Sequence, residues 1–121
     1  EIQLLGPLDF LFHRAGFIMY PVLGKVSQQA VDRMCPSPAE VGETFQVPLD
    51  YLMTHPPMEC HYELIPQMDQ GFPYEVVGIP RNYKWMPGGE TISVFPWKNH
   101  AIWGLTARIT RHLLRLLKEQ Q

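Results

Sequence analysis

A chain of 121 residues, 45% hydrophobic and 18% charged, has the make-up of one folded domain, and its composition lies far from that of disordered chains. A formal net charge of -2 supplies no field to hold a nucleic-acid backbone, and no apolar run reaches the roughly eighteen residues that a membrane span needs. Cys35 and Cys60, without Cys-x-x-Cys spacing, fit reduced thiols in a cytoplasm better than the disulfide framework of a small secreted domain.

Glu1 opens directly into Ile2-Gln3-Leu4-Leu5, with no initiator Met and no basic-then-apolar leader, so the chain is expected to begin inside or just before a strand, as a cleaved or partial polypeptide does. Leu8 to Val26 is almost continuously apolar, broken at His13-Arg14-Ala15-Gly16, where Gly16 can supply the positive φ of a turn. Two strands joined by a short loop are predicted. The second, Phe17 to Val26, is apolar on both faces and is expected to be covered on both, with an edge or bulge at Pro21, which has no N–H to donate.

Ser27 to Pro38 reads as a loop. Glu40 to Val47 alternates with period two and is predicted as a strand, with Val41, Glu43, Phe45 and Val47 on one face. Pro48 to Met53 reads as one helical turn with proline at its first position, followed by a loop-rich middle to Pro80. Arg81–Trp85 and Thr91–Phe95 are predicted to form a hairpin around Pro87-Gly88, a pair suited to the centre of a type II turn.

A closing amphipathic helix is predicted from about His100 to Lys118, capped by Asn99. Ile102, Leu105, Ile109, Leu113 and Leu116 form its apolar stripe, expected to face the core. Arg108, Arg111, Arg115 and Lys118 form a basic stripe, expected to be a solvated face that complements the helix's C-terminal dipole, with phosphate binding as the lesser alternative. Gly104, inside that helix, is expected to allow close approach of another backbone. The order of strands, short helix, hairpin and terminal helix defines an α/β chain of the α+β kind.

Three segments, in order, resemble the C-terminal half of Nudix hydrolases of the coenzyme A diphosphatase type. They are Ala15-Gly16-Phe17-Ile18-Met19-Tyr20-Pro21-Val22-Leu23-Gly24; Pro38-Ala39-Glu40-Val41-Gly42-Glu43-Thr44-Phe45-Gln46-Val47-Pro48-Leu49; and Phe72-Pro73-Tyr74-Glu75 through Tyr83-Lys84-Trp85 to Ile102-Trp103-Gly104-Leu105-Thr106-Ala107-Arg108-Ile109. The Trp-Gly-x-Thr-Ala run is the most specific. The resemblance implies that residues 1–121 are the C-terminal part of a single Nudix domain, a partial fold with a mixed β-sheet and a C-terminal helix. It also implies hydrolysis of a diphosphate linkage in coenzyme A or a related nucleoside diphosphate derivative. The family's glutamate-rich loop-helix box, which holds Mg2+ or Mn2+, has no match here, nor has the coenzyme A signature upstream of it. Their absence suggests truncation, and this chain alone is expected to be inactive and to hold no metal.

Diphosphate cleavage needs neutralised oxygens and an activated water, which two or three close carboxylates supply by holding a hard cation. Glu40 and Glu43 are the only acidic pair within a matched motif, and three positions apart on a strand they point to opposite faces. Glu40 is the candidate catalytic residue, with a turn residue capping exposed amides as the alternative; Glu43 reads as solvent-facing or salt-bridged. His13 and Arg14 are candidates for substrate phosphate, against a plain exposed turn. Cys35, Cys60, His55 and His61 have no zinc-site spacing. Trp85, Trp97 and Trp103 read as packing residues, with stacking on an adenine as the lesser alternative. The expected partner is a small molecule, with no nucleic acid and no membrane. A non-catalytic binding or dimerisation module, a homodimer or one half of a split enzyme, is the alternative.

Overall fold

Residues 2–26 make one long β-hairpin in the computed structural model, which describes residues 1–120. Strand β1 (Ile2–Pro7) pairs antiparallel with β4 (Val22–Val26), and β2 (Leu11–His13) with β3 (Phe17–Met19). The turn falls at Arg14-Ala15-Gly16, where Gly16 has φ 92°. The ladder is interrupted where the sequence places Pro21: β3 ends before it, β4 begins after it, and the Pro21 carbonyl accepts from the Leu8 amide at 2.9 Å. The expected cover on both faces is not found. Ile2, Leu4, Tyr20 and Val22 are all more than half exposed, and among the described residues no strand outside the ribbon pairs with it.

The polar segment after the ribbon is not all loop. Ser27 accepts from the amide of Ala30 and caps a short helix, α1 (Gln28–Asp32). Residues 40–47, expected as a strand, pair with no other strand; they are held by side chains instead, Phe45 stacked on His100 at 4.4 Å and Glu43 paired with the same ring at 2.9 Å. Pro48 then precedes α2 (Leu49–Thr54) as its N-cap, one position earlier than expected.

The centre of the molecule is a three-stranded antiparallel sheet in the order β5 (Met58–Leu64), β6 (Gly88–Trp97), β7 (His100–Trp103). Thr91–Val94 therefore pairs with Met58–His61, and Val94–Phe95 with Ile102–Trp103, and the expected hairpin with residues 81–85 does not form. A one-turn helix, α3 (Tyr74–Val77), lies in the connection from β5 to β6. All strand pairs among the described residues are antiparallel, where a mixed sheet was expected; the α+β class and the terminal helix stand.

Helix α4 (Gly104–Glu119) starts four residues later than predicted. Asn99 does not cap it but sits with Lys98 in the tight turn joining β6 to β7, where Lys98 adopts φ 54°. Gly104 opens the helix at φ 63°, a conformation that disfavours any residue with a Cβ, and a Cβ there would meet nothing within 4 Å. Its role is thus conformational, not the close approach expected.

The core is small: Leu52 from α2, Phe95 from β6, and Ala107 and Leu114 from α4, with Val47, Tyr51, Met53 and Ile102 packed around them. The helix face turned inward is centred on Ala107 and Leu114, while Leu105, Ile109, Leu113 and Leu116 are only partly buried. Small Ala107 lets the helix approach β6, and Arg111 on the same side reaches the sheet, donating to Ser93 Oγ at 3.0 Å and pairing with Glu59 at 3.1 Å. Arg111 is therefore a sheet contact, not part of a wholly solvated stripe. The chain exposes 10027 Å², against about 6,700 Å² expected from its mass for a folded monomer. Large apolar side chains contribute to that excess, Ile2, Leu4, Phe12, Tyr20, Val76 and Met86 all being more than 60% exposed.

Candidate functional site

The ribbon's turn reaches across the molecule to the start of α4. The Arg14 guanidinium meets the Glu90 carboxylate of β6 at 3.0 Å, and Arg108 donates to the Phe12 carbonyl at 3.1 Å. Between these contacts lies a cleft of about 420 Å³ bordered by His13, Arg14, Glu90, Trp103, Gly104 and Arg108. Its volume falls within the range of small-molecule sites.

The register of β5 against β6 sets Tyr62 directly opposite Glu90, and the phenol donates to the carboxylate. That hydrogen bond, and after it the charges of Arg14 and Arg108, hold the Glu90 carboxyl below its ordinary value of 4.5. The same bond raises the Tyr62 hydroxyl above 10.0, with desolvation adding to the shift and Arg14 opposing it. Arg14 also lies over the Tyr62 ring, 5.5 Å from its centroid. Glu90 is thus ionised and occupied at neutral pH; it clamps the ribbon turn to the sheet and is not poised to accept a proton.

Two sequence candidates, His13 and Arg14, do come together here. His13 stacks on Phe17 at 4.6 Å and its Nδ1 accepts from the Ala15 amide, which fixes the ring at the cleft's edge. Glu40 lies elsewhere, in an exposed turn whose Glu40 and Val41 amides both donate to the Ser37 carbonyl, and it does not border the cleft. Glu43 lies 2.9 Å from Nε2 of His100 and is otherwise exposed. Cys35 and Cys60 are unpaired and exposed, and among the described residues no three His, Cys, Asp or Glu side chains gather as a metal site. The cleft's own carboxylate is taken by Tyr62 and Arg14, so the residues described do not fit a divalent cation, and no chemical step is assigned through one.

Trp85 packs against Phe72 and Tyr83, and Trp97 against Tyr51, as packing residues should. Trp103 departs from that expectation: it is 63% exposed and borders the cleft. Tyr62 and Glu90 carried no functional expectation, whereas Trp103 and Arg108 had functional readings only as the lesser alternatives to packing and to a solvated face. The alternation of Met58, Cys60, Tyr62 and Leu64 with Glu59, His61 and Glu63 is a period-two signal that could have found β5, and with it the Tyr62–Glu90 pair. A larger cavity, about 710 Å³, lies between the β1–β4 ribbon and α1, but its lining brings together none of the candidate residues.

The cleft thus gathers Arg108, the Arg14–Glu90 pair and His13, in a chain with no helix long and apolar enough to cross a membrane among its described residues. In comparison with known proteins, the chain matches no family model, no curated protein and no solved structure.

Proposed function

We propose that this chain is the substrate-gripping part of a Nudix-type hydrolase acting on a diphosphate linkage, with coenzyme A or a related nucleoside diphosphate derivative as substrate. One observation carries the reading. The turn at the head of the first family-like segment and the Trp-Gly-Leu-Thr-Ala run of the last, about ninety positions apart in sequence, border one cleft and bring Arg14 and Arg108 to it. Arg108 forms no ion pair among the described residues, and Arg14 keeps N–H groups beyond the one given to Glu90, so both can present planar, charge-assisted donors to phosphate oxygens. In this reading the carboxylates that hold Mg2+ or Mn2+ in the resembled family come from outside residues 1–121. His13 and Arg14 face the phosphates, and Glu40 is left with no role in the cleft.

The test is hydrolysis of coenzyme A in magnesium or manganese buffer. A longer polypeptide joining this chain to a glutamate-bearing loop-helix segment should cleave the diphosphate, while the 121-residue chain should not. Failure of the longer protein on every nucleoside diphosphate derivative tried would end the reading.

A second reading, a non-catalytic binding or dimerisation module, is favoured by the uncovered apolar ribbon, since exposed apolar surface of that extent favours association. It expects the 121-residue chain to sediment as a dimer at micromolar concentration, and a monomer would count against it.

A further inference from the structure

The cleft is one of three cavities that share arginines along α4. Arg108 borders both the cleft and a second hollow of about 310 Å³ lined entirely by Arg108, Arg111, His112 and Arg115. Arg111 and Arg115 in turn border a third, about 430 Å³, which adds Lys118 and has Leu52, Phe95 and Leu114 at its base. From Arg108 to Lys118 the rise along the helix is about 15 Å.

Several of these charges are already balanced. Arg14 is paired with Glu90 and Arg111 with Glu59; Asp9 lies 3.7 Å from His112, and Glu119 borders the third hollow. Arg108, Arg115 and Lys118 form no ion pair within 4 Å among the described residues: Arg108 donates to the Phe12 carbonyl and reaches Glu90 through its charge alone, and Arg115 lies 2.9 Å from Nδ1 of His112. The unbalanced cations thus stand at both ends and in the middle of one line. Leu52, Phe95 and Leu114 floor the hollow at its Lys118 end, and Ile92, Trp103 and Leu105 border the cleft at its Arg108 end.

We infer that the Arg108–Arg115–Lys118 line is a binding track for a small phosphate ester, with phosphate oxygens along the arginines and an apolar end in the hollow over Leu52, Phe95 and Leu114. Charge complementarity selects the occupant. A nucleic acid would meet a chain of net charge -2. An extended small anion needs only the local cations, and the apolar base explains why its far end would be uncharged. The inference rests on the phosphate-ester reading for the ligand's class, but not on cleavage.

The experiment is calorimetric titration of the 121-residue chain with inorganic pyrophosphate and with geranyl diphosphate, which adds a ten-carbon tail. Both should bind at low salt, geranyl diphosphate several-fold more tightly, and both should weaken as salt rises. Arg115→Gln and Lys118→Gln should each weaken binding about tenfold, while Lys25→Gln, on the far ribbon, should leave it unchanged. Both side chains are exposed, and unchanged far-UV circular dichroism would certify the fold. Equal affinities in wild type and the two α4 variants, or no binding of pyrophosphate, would overturn the track; geranyl diphosphate binding no tighter than pyrophosphate would overturn the placement of the apolar end. If the track binds and a longer polypeptide still cleaves nothing, the hydrolase reading fails and the track stands. Hydrolysis by the longer polypeptide that is indifferent to Arg115→Gln and Lys118→Gln would leave the reading and remove the track.

Discussion

Gly104 separates a backbone requirement from a packing requirement, and the two give different numbers. At φ 63° an L residue brings its Cβ toward the following carbonyl oxygen, which costs about 1–2 kcal/mol. The added methyl itself would meet no atom within 4 Å, so no steric term adds to that figure. Gly104→Ala should therefore destabilise the chain by about 1–2 kcal/mol, lowering the melting temperature by roughly 4–10 °C for a domain of this size. Gly104→Asn has the larger side chain but the better left-handed propensity, and should cost less than Ala. Urea unfolding followed by circular dichroism at 222 nm reads both. If Asn is as costly as Ala, or costlier, then space at residue 104 and not its φ is limiting, and the conformational explanation of the Trp-Gly junction is refuted.

Other expectations follow from the core and the cleft. Phe95 is 2% exposed and central to a four-residue core, so Phe95→Ala should cost about 3–5 kcal/mol and abolish a cooperative urea transition monitored by tryptophan fluorescence. Ser93 is buried and accepts from Arg111, so Ser93→Ala should cost about 1 kcal/mol in the same assay, with the guanidinium turning more fully to Glu59. For Glu90 the sign is set by its lowered carboxyl: the Tyr62–Glu90–Arg14 clamp is intact above the ordinary glutamate value of 4.5 and is lost as pH falls through the lower folded one. Carboxyl NMR titration should place the Glu90 midpoint below 4.5 in the wild type. Tyr62→Phe should move it up by removing the phenol's hydrogen bond, and Arg14→Gln should move it up by removing a charge and a second hydrogen bond; an unmoved midpoint in either variant would contradict that assignment.

What the sequence made legible was local. Gly16 marked a turn, Pro21 an interruption in the ladder, Pro48 a helix start, and the spacing of Leu and Arg residues the long terminal helix. The failures share a cause: tertiary pairing overrode local pattern. Residues 40–47 alternate as a strand should, but without a strand edge to join they are fixed by Glu43 and Phe45 on His100. His100–Trp103 fitted a helical stripe, but the tight Lys98-Asn99 turn folds it back on β6 as a strand, and only Gly104 marked the true boundary. The helix's inward face was misassigned because hydrophobicity alone ranks Leu above Ala, whereas close approach to β6 selects Ala107. At the site, His13 and Arg14 were readable from their turn. Tyr62 and Glu90 were not, since their meaning lies in a cross-strand register that no local pattern encodes.

The claim at the centre is that residues 1–121 grip a diphosphate without being able to cut it. Phosphorus-31 NMR of coenzyme A mixed with the 121-residue chain and magnesium tests it directly. The expected spectrum has the diphosphate resonances shifted by the chain, unshifted with Arg14→Gln and Arg108→Gln combined, and free of new monophosphate signals over hours. Unperturbed diphosphate resonances with the wild-type chain would contradict the grip, and growing monophosphate signals would contradict the missing cut.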